Sequence, residues 1–108
     1  MDIALLQENV TKASMLLRTM SNKWRLLILC HLSQTELPVH ELEKLIGLSQ
    51  SALSQHLAIL RREQLVVTRR AAQSIYYSLD SDKARVIMNV LYNFYCRDEE
   101  VALKSIAS

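Results

Sequence analysis

Pro38-Val39-His40-Glu41-Leu42-Glu43-Lys44-Leu45-Ile46-Gly47-Leu48-Ser49-Gln50-Ser51-Ala52-Leu53-Ser54-Gln55-His56-Leu57-Ala58-Ile59-Leu60-Arg61-Arg62 is the stretch from which the fold is read. Val39, Leu42, Leu45 and Ile46 recur at helical spacing, and Pro38 suits the first turn of that helix, where its missing N–H is not needed. Gly47, the chain's one glycine, stops the helix where a left-handed residue is usual. Ser49 caps a second helix by accepting a bond from its free amides. Leu53, Leu57 and Leu60 then lie at i, i+4 and i+7 and face inward, while Ser51, Ser54, Gln55, Ala58 and Arg62 form the opposite face. Two short helices meeting at Gly47-Leu48-Ser49 predict a helix-turn-helix.

On the C-terminal side the period changes after Gln64 from helical to two. Leu65–Arg70 and Ser74–Leu79 read as strands, joined by Ala71-Ala72-Gln73, a hairpin connection without the usual glycine. Ile75, Tyr77 and Leu79 point one way; Ser74, Tyr76 and Ser78 point the other. Asp80 or Ser81 caps a last helix carrying Ala84, Ile87, Met88, Leu91 and Tyr95. On the N-terminal side Leu6, Val10, Ala13, Leu17 and Met20 mark one stripe of a helix over about residues 3–20. Ser21 or Asn22 caps the next helix, which carries Trp24, Leu27, Ile28 and Leu32 and ends near Ser33. Its interior, Leu26-Leu27-Ile28-Leu29-Cys30, is apolar almost all round, as in a central buried helix. The order predicts a mainly α fold with a two-stranded β-wing, a winged helix-turn-helix, as a single domain over residues 1–108.

Composition narrows the function. A length of 108 residues suits one domain. A single glycine rules out Gly-rich phosphate loops, and with them nucleotide-binding P-loop and Rossmann folds. No apolar run nears the ~18 residues of a membrane span, and the N-terminus has no basic region of a signal peptide. A cytoplasmic protein is expected, with no membrane partner. Two cysteines, Cys30 and Cys96, fit thiols of a reducing compartment better than a disulfide scaffold. Between Lys44 and Leu79 five basic residues face one acid, so the segment carries +4 and the rest −2 of a net +2. That is the pattern of a localised anion-binding surface.

The residues around the basic cluster suit duplex DNA. Short side chains let a helix approach base edges in the major groove, and Gln50, Ser51, Ser54, Gln55 and His56 are the candidate readers. Arg61 and Arg62 at the helix end, with Arg69, Arg70 and Gln73 on the hairpin, suit phosphates or a minor groove. Each alone is as easily a solvated surface residue. Gathered on one face, they make double-stranded DNA the expected partner.

Leu48-Ser49-Gln50-Ser51-Ala52-Leu53-Ser54-Gln55-His56-Leu57-Ala58-Ile59-Leu60-Arg61 resembles the recognition helix of the ArsR/SmtB bacterial repressors. Asn22-Lys23-Trp24-Arg25-Leu26-Leu27-Ile28-Leu29 resembles their second-helix segment, and Tyr76-Tyr77-Ser78-Leu79 their second wing strand. The resemblance spans roughly residues 13 to 96. It implies a homodimer, paired through its first and last helices, that represses at an inverted repeat and is released by an inducer. Dimerisation would also cover the first-helix stripe and Met88, Leu91, Tyr92 and Tyr95, more apolar face than so short a chain can bury.

Many members of that family sense metals. Where some place Cys-Val-Cys, this chain has Pro38-Val39-His40; where others place Asp-x-His, it has Ser81-Asp82-Lys83. His31, His40 and His56 are scattered, so neither a metal nor a cofactor is expected. Leu29-Cys30-His31 and Phe94-Tyr95-Cys96 are similar to a branch of the family whose two cysteines answer persulfides or oxidants by forming an intraprotomer polysulfide or disulfide. The resemblance therefore implies Cys30 and Cys96 as sensors of reactive sulfur species, with Tyr92, Tyr95, Trp24 and His31 as candidate neighbours, core packing being the favoured role for Trp24. Other readings stay open: a peroxide sensor, a metalloid or Cu(I) site completed by His31, cysteines that merely pack, or an association domain that binds no DNA. A small thiol enzyme would need Cys-x-x-Cys or an acid/base partner; neither is visible, so no enzyme is expected.

Overall fold

The computed structural model describes residues 2–99. Helix α1 (Ile3–Met20) starts at Asp2, whose carboxylate accepts from the amides of Ala4 and Leu5. Helix α2 (Lys23–Gln34) is capped by Asn22 rather than Ser21, its side chain accepting from Trp24 and Arg25. Strand β1 (Leu37–Pro38) leads into α3 (Val39–Ile46), then α4 (Gln50–Arg62), the hairpin β2 (Val66–Ala71) and β3 (Ser74–Leu79), and finally α5 (Asp82–Tyr95). Ser49 and Ser81 cap α4 and α5 through their hydroxyls. The expected end of the domain from residue 100 onward lies outside the described residues.

Gly47 has φ +79°, and a Cβ there would meet nothing within 4 Å. The glycine is needed for its backbone, not for space. Gln64, after α4, and Ala72, in the hairpin turn, also take positive φ, 64° and 55°. The wing thus turns with alanine where glycine would be unstrained.

Two expectations are corrected. The sheet has three strands in the order β1-β3-β2, because Leu37 and Pro38 pair with Tyr77 and Tyr76. Pro38 stands before α3 in extended conformation, not in its first turn. An edge strand tolerates proline because no ladder bond from its nitrogen is needed.

The core gathers Met20, Ile28, Leu29, Leu32, Leu42, Ile46, Leu53, Leu57, Leu60, Leu65, Val66, Leu79, Ala84 and Met88. Helix α2 runs through its middle, touching α1, α3, α4, α5 and β3. That position explains its nearly uniform apolar interior. Leu45 departs from the expected face at 46% exposed. Met88 departs the other way: at 5% exposed it is core, and leaves the surplus apolar face to its neighbours.

That surplus is large. Ile3, Leu6, Val10 and Leu17 of α1 and Val86, Val90, Phe94 and Tyr95 of α5 are exposed. The Cα radius of gyration is 16.3 Å, against about 13 Å for a compact chain of this length.

Candidate nucleic-acid interface and thiol groove

Helix α4 divides as its period requires. Leu53, Leu57 and Leu60 are buried, while Gln50, Ser51, Ser54, Gln55, Ala58, Arg61 and Arg62 are exposed. Ser54, Ala58, Arg61 and Arg62 edge a cleft of about 460 Å³ whose far wall is Val39 and Tyr77. The cleft therefore joins the helix to the root of the wing. Its basic rim and apolar floor suit a strand of nucleic acid, with cations for phosphate and small side chains for base edges. Among the described residues, Arg61 and Arg70 make no ion pair, while Arg62 has Glu63 at 3.3 Å. Such exposed pairs exchange readily. Gln73 is exposed at the hairpin tip beside Ala72.

His56 and Arg69 stand apart from the other candidates. The half-buried His56 sits with Nδ1 3.5 Å from Arg25 Nη1. Arg25 in turn donates from Nε to the carbonyl of Thr19 and from Nη2 to that of Arg18. One guanidinium thus ties the end of α1 and the start of α2 to the recognition helix. No local pattern marks Arg25 in the sequence, since its partners lie in other elements. Arg69 ends on the carboxylate of Glu36, another residue that sequence reasoning misses.

The same geometry predicts a pH dependence. Burial, helped by the charge of Arg25, lowers the His56 pKa from its ordinary value. The folded chain then binds fewer protons than the unfolded one just below about pH 6.5, so this contribution to stability is lost as pH falls through that window. His56→Gln is expected to flatten that part of the profile in urea unfolding between about pH 5 and 7. An unchanged slope in the variant would place the effect on another group.

The two cysteines meet in a second concavity. Cys30 lies near the end of α2 and Cys96 is the cap residue after α5, with its N–H 2.8 Å from the Tyr92 carbonyl. Both are free and exposed, so neither is a core-packing thiol. They line one groove of about 920 Å³ between α2 and α5, with Leu26, Arg85, Met88, Leu91, Tyr92 and Tyr95 among its walls. Tyr92 and Tyr95 are thus neighbours of the pair as expected, whereas Trp24 and His31 are not in the lining. Trp24 packs against the core, its favoured role, under the ammonium of Lys23. Cys30 is exposed, but the groove walls desolvate its thiol in part and raise its pKa, and the charge of a Cys96 thiolate raises it further. Among the described residues no three His, Cys, Asp or Glu side chains gather into a metal site.

A helix-turn-helix with an attached wing and a basic cleft between them defines a winged-helix domain. Among the described residues no helix is long and apolar enough to cross a membrane. Residues 22–68 match the family described as bacterial regulatory protein, arsR family. The transcriptional activator HlyU of Vibrio cholerae is 46% identical over 97 residues, 90% of either chain. The solved structure of its reduced form superposes with a TM-score of 0.84, covering 88% of this chain and 100% of that one. The transcriptional repressor BigR of Xylella fastidiosa has a TM-score of 0.79 at 38% identity, covering 89% and 98%. The chain belongs to the arsR family of transcriptional regulators.

Proposed function

We propose that the chain is a cytoplasmic, dimeric repressor that binds an inverted-repeat operator in duplex DNA and releases it when Cys30 and Cys96 react with a persulfide. Gln50, Ser51, Ser54 and Gln55 read base edges; Arg61, Arg62, Arg70 and Gln73 hold the backbone. The observation that carries the sensing is that two exposed thiols, one on α2 and one at the cap of α5, open into one groove.

The chemistry balances without an outside oxidant. A cysteine thiolate attacks the outer sulfur of a persulfide R–S–SH, forming Cys–S–SH and releasing the thiol R–SH. The second cysteine does the same. The terminal sulfur of one persulfide then attacks the carbon-bound sulfur of the other and expels hydrogen sulfide. The product is a trisulfide, its oxidising equivalents supplied by the sulfane sulfur. Such a link ties α2, at the centre of the protomer, to α5, whose outer face is the candidate dimer surface. Moving one against the other changes the spacing of two recognition helices. BigR is named a repressor and HlyU an activator. The sign of regulation follows from where the operator lies, so the same release serves either.

Selection from a random-sequence duplex pool tests both halves. The expected winner carries two half-sites about one helical turn, ~34 Å, apart. Glutathione persulfide is expected to weaken its binding. A pool without enrichment, or an affinity that persulfide leaves unmoved, contradicts the proposal.

A further inference from the structure

Arg69 crosses the sheet. It leaves β2 opposite Tyr76, its partner in the β2–β3 ladder, and its guanidinium lies 4.6 Å from the centre of that ring. It then ends on Glu36, with Nε 2.9 Å from each carboxylate oxygen and Nη2 on Oε1. Glu36 is the residue entering β1, and β1 pairs with the other side of β3. In the order β1-β3-β2 one side chain therefore reaches from one outer strand, over the central one, to the residue leading into the other. Strand β1 continues directly into α3 and, through Gly47, to α4. The hairpin and the recognition helix are joined through this strap as well as through the backbone.

We propose that Glu36, Tyr76 and Arg69 form a positioning strap that sets the angle of the wing to the recognition helix, and that Arg69 acts through Glu36 instead of touching phosphate. This rests on the reading of α4 and the wing as the DNA face. A carboxylate beside a phosphate-binding wing opposes binding by its charge, so its presence there calls for a geometric role. The pair is bidentate and stacked, the geometry in which an exposed ion pair orients rather than merely decorates. The Arg69 hydrogen bond also holds the Glu36 carboxyl below its ordinary pKa, so the strap stays charged at neutral pH. Arg70, the next residue along β2, is left as the wing's cation for DNA.

The test uses the full chain and the duplex that wild type enriches from the random pool. Glu36→Gln keeps the shape and removes a negative charge, and is nevertheless expected to weaken binding by roughly five-fold with an unchanged salt slope. Arg69→Lys keeps the charge and loses the fork, and is expected to weaken binding similarly. Arg70→Ala, as the contrast, is expected to lower the slope of log affinity against log salt by about 0.9 per protomer. Tighter or unchanged binding by Glu36→Gln overturns the strap, as does wild-type binding by Arg69→Lys. A wild-type protein that enriches no duplex overturns the DNA face itself, and the strap with it.

Discussion

A chain carrying Leu6→Asp and Val10→Asp is expected to sediment as a monomer and to lose about two to four orders of magnitude in affinity for a two-half-site duplex. Both residues lie on the outer stripe of α1, and Val10 is 58% exposed. Carboxylates there cost the protomer little, because no core contact is removed; circular dichroism is expected to show the same helix content. The loss comes from association. The α1 stripe and the outer face of α5, where Phe94 is 71% exposed, form apolar surface that a lone domain leaves in water. Covering it with a second copy converts the second half-site contact into an intramolecular one, the source of the affinity at stake. Sedimentation velocity and DNA titration on the same sample check it. A variant that stays dimeric places the interface elsewhere.

Cys30→Ser and Cys96→Ser are each expected to bind the duplex as wild type does and to keep it when glutathione persulfide is added. Both thiols are exposed and outside the core, so serine disturbs no packing. Wild type, under the same treatment, is expected to lose about 5- to 150-fold in affinity, the usual range of coupling between two sites. One cysteine can still accept sulfur in either variant, but no link between α2 and α5 can close. The rate carries a second signature. Because partial desolvation in the groove raises the Cys30 pKa, its thiolate fraction grows with pH through neutrality and above. The rate of linking is expected to climb over that range wherever Cys30 is the slower nucleophile.

The helices were legible because their signals are local. The i, i+4, i+7 leucines of α4 decide its buried face, and Asn22, Gly47, Ser49 and Ser81 mark ends within one turn of themselves. The wing was legible by its alternation, even though Ala72 takes the positive φ that a glycine would have announced. Strand β1 was not legible. Two residues have no period, and their partners Tyr76 and Tyr77 lie far along the chain. Glu36 and Arg69 are 33 residues apart, and Arg25 and His56 are 31. Neither pair leaves a trace in spacing, because the contact exists only after the sheet and helices have assembled. Hence spacing alone reads Arg69 and His56 as members of the DNA face and gives no sign of the protein partners, Glu36 and Arg25, that the structure places beside them. Periodicity alone also misplaced Met88 and Leu45, since a stripe shows which side of a helix is apolar and not how far its neighbours cover it. The two cysteines are an intermediate case: the resemblance pairs them, while only the fold shows them lining one groove.

The most direct test of the sensor is one titration read two ways: DNA affinity and intact mass of the same glutathione-persulfide-treated protein, for wild type, Cys30→Ser and Cys96→Ser. Wild type is expected to gain sulfur bridging Cys30 and Cys96 within one chain, to lose both free thiols and to release the duplex, while neither variant forms the bridge or lets go. Release by either variant to the extent seen in wild type, or a bridged wild type that still holds the duplex, would contradict it.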